Sequence, residues 1–366
     1  MLRLTRIGLG GFMSIKDLQP FPVRPVNVLV GANGSGKSNL ISFFRLLASI
    51  PAGRLQLHVG RAGGANSLLY YGVKQTPALW ATFDFEGKSR RAQYSFSLSS
   101  TATDELIFAA ERVGIPAAMG SHLKGVQLGS GHRESRLLES GNDFPEVADL
   151  LSGIRVFHFE DTSEGAAIRS PGYVDDNRQI HPDGGNLAAF LFGLRQRKPQ
   201  YYDRIVSSIR LVAPFFDNFD LAPMQADANS IRLNWTDRNS NYLFGPHQLS
   251  GGTLRAMALI ALLAQPEDEL PGLIVIDEPE TGLHPYAIEI VAALVKSASV
   301  HRPVIVATQS VAMVNQFSAE DIIAVTRDGP ESKFERQNSE TLAVWLEEYS
   351  IGEIWEKNLI GGTPYR

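Results

Sequence analysis

The segment Gly31-Ala32-Asn33-Gly34-Ser35-Gly36-Lys37-Ser38 fits the pattern G-x-x-x-x-G-K-[ST]. Before it, Pro25 leads into Val26 to Val30, a continuously apolar run expected of a buried parallel strand. After it, Lys37 to Ser49 reads as a helix with Leu40, Phe43, Phe44 and Leu47 on one side. Each position has a chemical reason. The glycines let backbone N–H groups curl round a β-phosphate, and the helix N-terminus adds partial positive charge. Lys37 is expected to reach the β- and γ-phosphates, and the Ser38 hydroxyl to ligate Mg2+. A glycine-rich turn meets this pattern by accident in on the order of one such chain in a hundred. The strand–loop–helix context makes accident rarer still. The expected nucleotide-binding set is Gly31, Ala32, Asn33, Gly34, Ser35, Gly36, Lys37 and Ser38, with Asn39 beside them.

Two further segments carry chemistry. Leu273-Ile274-Val275-Ile276-Asp277-Glu278 sets two carboxylates at the C-terminal end of a buried strand, the edge where parallel α/β sheets bind ligands. Asp277 is expected to hold Mg2+ through its water shell. Glu278, pointing elsewhere, can orient and deprotonate an attacking water. Leu249-Ser250-Gly251-Gly252-Thr253 precedes the apolar run Leu254 to Ala264. Read alone it is a Ser N-cap with flexible glycines. Read physically it is also a second anion cradle.

Taken in order, Gly31–Ser38, Leu249–Gly252 and Ile276–Glu280 resemble the three signature motifs of ABC-type ATPases. The soluble RecF/SMC/OLD-like branch fits best, through the opening strand pair around Leu4 to Lys16, Leu254-Arg255, and Glu280-Thr281-Gly282-Leu283-His284-Pro285. Stand-alone ATPases of that group occur in bacterial anti-phage and DNA-maintenance systems. The resemblance spans about residues 1–50 and 245–326 and is loose between them.

It implies an α/β fold of ABC-ATPase head type: a mostly parallel sheet flanked by helices, an antiparallel β subdomain and a helical signature lobe. It also implies that Ser250, Gly251 and Gly252 bind the γ-phosphate held by another subunit. One phosphate loop and one signature per chain then imply a head-to-tail homodimer enclosing two ATP molecules. The expected catalytic groups are Glu278, Lys37 and Gln309, with ATP and Mg2+ as cofactors. Three positions depart from the family pattern. Gln309 stands where the switch histidine falls, and an amide cannot carry a positive charge, so turnover is expected to be slow. His284 occupies the D-loop aspartate position. Glu160-Asp161-Thr162-Ser163 lacks the Q-loop glutamine, leaving Asp161 as the candidate.

The organisation expected is 1–160, an ATP-binding lobe with a β-rich insertion (a hairpin over about 78–98); 161–264, loop and helices ending in the signature; and 265–366, the C-terminal ATPase lobe and tail. Asn186 is expected to cap a helix running to Arg197. Between Asn39 and Leu249 lie 209 residues, more than a minimal transporter ATPase needs and without the heptads of an SMC arm. A transporter subunit is therefore disfavoured.

Composition narrows the partners. The 366 residues carry 34 Lys and Arg against 39 Asp and Glu, a formal charge of −5, so nucleic acid would need a local patch. Two basic turns, Lys88/Arg90/Arg91 and His132/Arg133/Arg136, are the candidates for such a patch, with solvated loop as the plainer role. No cysteine is present, which excludes disulfides, thiolate metal sites and cysteine nucleophiles. The scattered histidines form no H-x-x-x-H metal pair. The longest apolar run, Ala256 to Ala264, has nine residues, so no membrane contact is expected, and the Gly-broken opening makes a poor signal peptide. A cytoplasmic location follows by default. In the tail, Leu342, Trp345 and Leu346 share a helical face and Ile351, Ile354, Trp355 and Leu359 follow before Gly361-Gly362-Thr363-Pro364. These either pack on the core or form a dock for a partner. Two functions compete: a scaffold regulating a nuclease or other effector in anti-phage defence, and a RecF-like ATPase acting on DNA.

Overall fold

The computed structural model describes residues 2–88, 90–115, 124–139 and 144–363. Its centre is a six-stranded sheet in which Val26–Val30, Ile154–Phe157, Leu273–Asp277, Val304–Thr308 and Ile322–Asp328 run parallel, and Glu331–Arg336 closes one edge antiparallel. Register aligns the strand ends: Asp277 lies opposite Ala307, and Thr308 opposite Val30. The phosphate loop, the two acids and Gln309 therefore leave the sheet at one edge.

The near-continuous hydrophobicity of these strands reflects burial on both faces. Side chains alternate with period two. Val28, Ile274, Ile276, Val304 and Val306 enter one core, with the helices Leu187–Arg197, Pro199–Val212, Gly251–Leu263 and Pro285–Ser299. Leu29, Leu273, Val275, Ile305 and Ala307 enter the other. There the helix Lys37–Ser49 packs through Leu40, Phe43, Phe44 and Leu47, as its periodicity predicts. Phe43 stacks on Phe83 with ring centroids 6.2 Å apart, joining this helix to the second sheet. Phe44→Ala, at a fully buried position, is worth about 3–5 kcal/mol of stability.

That second sheet is antiparallel throughout, in the order Ile15–Pro22, Arg3–Phe12, Ala78–Glu86, Arg91–Ser100, Leu106–Ile115, Lys124–Gly129. It contains the expected hairpin, whose turn residue Ser89 lies outside the described residues. Its last strand, Lys124–Gly129, falls in the stretch 112–145, which is too rich in Gly and Ser to read as regular structure. The segment 161–264 holds more than loop and helices. Phe216–Asp220, Asn234–Asp237 and Ser240–Phe244 form one small sheet, and Pro223–Met224, Asp227–Ile231 and Gly172–Tyr173 another. Asn186 precedes the helix Leu187–Arg197 but does not cap it. Its amide donates to the carbonyls of Asp176 and Gln179, and its oxygen accepts from His181 N, so it pins the preceding loop instead. Among the described residues, no helix is long and apolar enough to cross a membrane.

Candidate functional site

The phosphate loop is shaped by glycine where glycine is needed. Gly34 and Gly36 have φ of 80° and 116°. A Cβ on Gly36 would stand 2.0 Å from Ser332 Oγ. Beneath the loop runs a directed chain: Asn39 Nδ2 donates to Ser14 Oγ (2.6 Å), Ser14 meets Ser332 Oγ (2.7 Å), and Ser332 donates to Ser35 O (2.6 Å). Arg327 adds a bond to Gly34 O (3.2 Å). Asn39 thus braces the loop from below. The helix Lys37–Ser49 has no side-chain cap; Asn39 N bonds back to Gly36 O (3.1 Å), and the N–H groups ahead of it are those a phosphate can take. Lys37 is buried, its ammonium donating to Gly31 O and Ala32 O. Burial lowers its pKa, against the pull of Glu278, Asp277 and Glu280. Ser38 is exposed.

At the adjoining strand ends, Glu278 has φ 46°, a left-handed conformation that costs a non-glycine residue about 1–3 kcal/mol and is typical of functional sites. Its N–H is held by Ala307 O (2.9 Å), and its carboxylate accepts from Gln309 Nε2 (2.7 Å). The structure thus brings the expected base and the switch glutamine together. Burial raises the Asp277 pKa, opposed by His158 and Arg45. His158 Nδ1 lies 3.7 Å, and the Arg45 guanidinium 3.9 Å, from the Asp277 carboxylate. The donors fit Mg2+. A hydroxyl at Ser38 and a carboxylate at Asp277 are hard oxygen ligands, and phosphate and water must fill the remaining positions. Among the described residues no cluster of three or more His, Cys, Asp or Glu could hold a metal by itself.

The signature turn is built as a helix cap. Ser250 Oγ accepts from Thr253 N (3.1 Å) and bonds Thr253 Oγ1 (2.8 Å). The glycines permit close packing: a Cβ on Gly251 would lie 2.5 Å from Thr162 Oγ1, and one on Gly252 2.1 Å from Gly282 O. Two arginines anchor the turn. Arg169 reaches Thr162 O, Pro246 O and Leu249 O. The buried Arg255 donates to Phe159 O (2.7 Å), Glu160 O (2.7 Å) and Thr281 O.

A family described as "AAA domain, putative AbiEii toxin, Type IV TA system" matches residues 26–315, the phosphate loop through the switch. The chain belongs to this AAA-domain family. No curated protein matches it in sequence. Its fold is that of SMC head ATPase domains. It superposes on an Smc head bound to the C-terminal winged-helix domain of ScpA with TM-score 0.63 at 17% identity, covering 93% of this chain and 99% of the other. For the Pyrococcus furiosus Smc head with an extended coiled coil, bound to the C-terminal domain of ScpA, the TM-score is 0.61 at 16% identity, over 95% and 99%. For the Thermotoga maritima SMC head domain it is 0.51 at 15%, over 92% and 99%.

Within this family member the remaining candidates separate. Asp161 is turned onto Ser163, whose hydroxyl and N–H lower its pKa. His158, not Asp161, is the residue of that segment beside Asp277. His284 caps the helix Pro285–Ser299 through Tyr286 N (3.4 Å). The basic turns are largely neutralised: Arg90 pairs with Glu146, Arg91 with Glu86, Arg133 with Glu105, and His132 is buried against Glu111. The tail divides. Ile351, Ile354 and Trp355 join the core, whereas Val344 and Trp345 are 76% and 43% exposed and Leu346 and Leu359 are also exposed. Beyond them the chain returns to the nucleotide loop: a Cβ on Gly362 would stand 3.3 Å from Gly31 Cα. Pro364 lies outside the described residues.

Sequence reading missed His158, Arg45, Arg169 and the Ser14–Ser332 brace. Arg255 and Glu280 lie in the segments that carry the resemblance, but no role was read for either.

Proposed function

We propose that this protein binds and hydrolyses ATP as a head-to-tail homodimer and uses that cycle to regulate an effector protein. The observation that carries the reading is the Glu278–Gln309 pair at the sheet edge that also presents the phosphate loop. Lys37 and the open N–H groups of the helix Lys37–Ser49 bind the phosphates. Gln309 holds one Glu278 oxygen, and the other is left to orient a water and take its proton. Mg2+, when bound by Ser38 and Asp277, supplies charge neutralisation for the phosphates.

Ser250, Gly251 and Gly252 are assigned to the partner subunit's γ-phosphate. They open a thirteen-residue helix whose dipole favours an anion, and the same chain already has its own phosphate loop.

Two features favour an effector-regulating role in anti-phage defence, with a nuclease as one class of effector. The exposed Val344, Trp345 and Leu346 offer an apolar surface on a segment whose Gly362 lies against Gly31, so partner docking and nucleotide state can communicate. The family description also refers to a toxin of a toxin–antitoxin system. Action on DNA is less favoured, because most of the candidate basic residues are paired with acids.

Mixing Ser250→Arg protein with Lys37→Ala protein tests the composite site. In the mixed dimer one site carries both defects and the other carries neither, so ATP turnover should return. If Ser250→Arg alone dimerises and turns over ATP normally, the turn is only a helix cap.

A further inference from the structure

We propose that Glu280 is a positioning residue for hydrolysis, holding Gln309 so that its amide engages Glu278, and that it does so from a turn fastened to the signature helix. The inference rests on the ATPase reading above and assigns a role to Glu280, the last residue of the third motif, to which that reading gives none.

Glu280 lies three residues beyond Asp277, in the connection to the helix Pro285–Ser299. Its Oε1 crosses to the next strand end and accepts from Thr308 Oγ1 (2.6 Å) and Gln309 N (3.1 Å). Thr308 is fully buried, and its hydroxyl in turn accepts from Ser310 N (3.0 Å). One carboxylate oxygen therefore fixes both the hydroxyl and the peptide N–H that set where the Gln309 side chain starts. From there Gln309 Nε2 reaches Glu278 (2.7 Å). Glu280, Gln309 and Glu278 form one relay of hydrogen bonds across two strand ends.

The other end of the relay is the signature helix. Glu280 O accepts from Leu283 N (3.0 Å), and the neighbouring Thr281 O accepts from Arg255 of that helix. Gly252 packs so closely on Gly282 O that no side chain fits between them. A shift of the signature helix on meeting the partner's nucleotide must therefore move the 280–282 turn, and with it Gln309. This gives a physical route by which assembly sets the hydrolytic pair.

Glu280 Oε2 is buried with no hydrogen-bond partner among the described residues, an arrangement that costs about 1–3 kcal/mol. Burial also raises the pKa of this carboxyl, against the bonds from Thr308 and Gln309.

Four variants of the full chain test the proposal: Glu280→Ala, Glu280→Gln, Gln309→Ala and the double Glu280→Ala/Gln309→Ala. Glu280→Ala should lower kcat by about 10- to 100-fold, the scale of an ångström-level misplacement, while the ATP dissociation constant stays within about twofold. Glu280→Gln, whose amide oxygen can accept both bonds, should restore most of the rate. In the Gln309→Ala background, removal of Glu280 should add little, because the two act in series. A second readout does not depend on turnover. In protein labelled with 15N-glutamine, the Gln309 side-chain amide signal, assigned by its loss in Gln309→Ala, should move in Glu280→Ala and hold its place in Glu280→Gln.

Failure of rescue by Glu280→Gln, a full additional loss in the Gln309→Ala background, or an unmoved Gln309 signal in Glu280→Ala would each overturn the proposal. Parallel loss of ATP affinity would do the same, by showing a collapsed loop. Absence of turnover in the unmodified protein would instead sink the hydrolysis reading, and the Gln309 signal would still decide the relay.

Discussion

Two helices in this protein open on glycine-rich turns, and they solve the same problem in opposite ways. Any α-helix begins with N–H groups that lack intrahelical partners. At Lys37–Ser49 the N-cap is Gly36, which has no side chain to offer, and the first turn is left for a ligand. At Gly251–Leu263 the N-cap is Ser250, whose hydroxyl already accepts from Thr253 N. The first turn is braced from beneath by Ser14, Ser332 and Asn39, and the second by Arg169 and Arg255 on carbonyls. Rigid support under an unsatisfied N-terminus describes a site committed to its own phosphate. A capped N-terminus can stand alone until a second phosphate arrives, as a composite dimer site requires.

The sharpest break in this comparison is Lys37→Ala. Loss of the buried ammonium should weaken ATP binding by about 3 kcal/mol or more, over about 100-fold in Kd, read by calorimetry. Unchanged affinity would make the two turns equivalent. Ser250→Arg should leave monomeric ATP binding intact while removing ATP-dependent dimerisation in light scattering, because its bulk fills the space meant for the partner's phosphate. Gly36→Ala should be smaller in free energy and visible without nucleotide. A side chain at φ 116° that meets Ser332 Oγ should lower stability to urea by about 1–3 kcal/mol. Ser250→Ala should cost about 1 kcal/mol of stability by loss of the cap. A stability change near zero would mean that the Ser250–Thr253 bond is not holding the helix.

The same contrast explains what could be read from the chain. The phosphate loop was legible because its chemistry is local: eight consecutive residues carry the glycines, the lysine and the hydroxyl. The strands around it were legible from unbroken apolar runs, and a core on each face of the central sheet follows from them. His158 was not legible, because it meets Asp277 across 119 positions of sequence, nor was Ser332, which meets Ser14 across 318. The strand Asp227–Ile231 carries only one buried residue and so had no alternation to betray it. In the same lobe Trp235 and Phe244 stack with centroids 4.6 Å apart, a core contact that only the tertiary pairing makes evident. The apolar residues of the tail were read as one set, either core or dock, and only packing separates the buried Ile354 and Trp355 from the exposed Trp345 and Leu346.

The most direct test is Glu278→Gln, assayed for ATP affinity, phosphate release and mass in solution on one preparation. The amide cannot take a proton from water, so hydrolysis should fall by at least about 100-fold. Affinity should remain that of the unmodified protein, and the ATP-bound mass should settle at twice that of a single chain. Phosphate release at the unmodified rate, with no ATP-dependent dimer, would contradict the account.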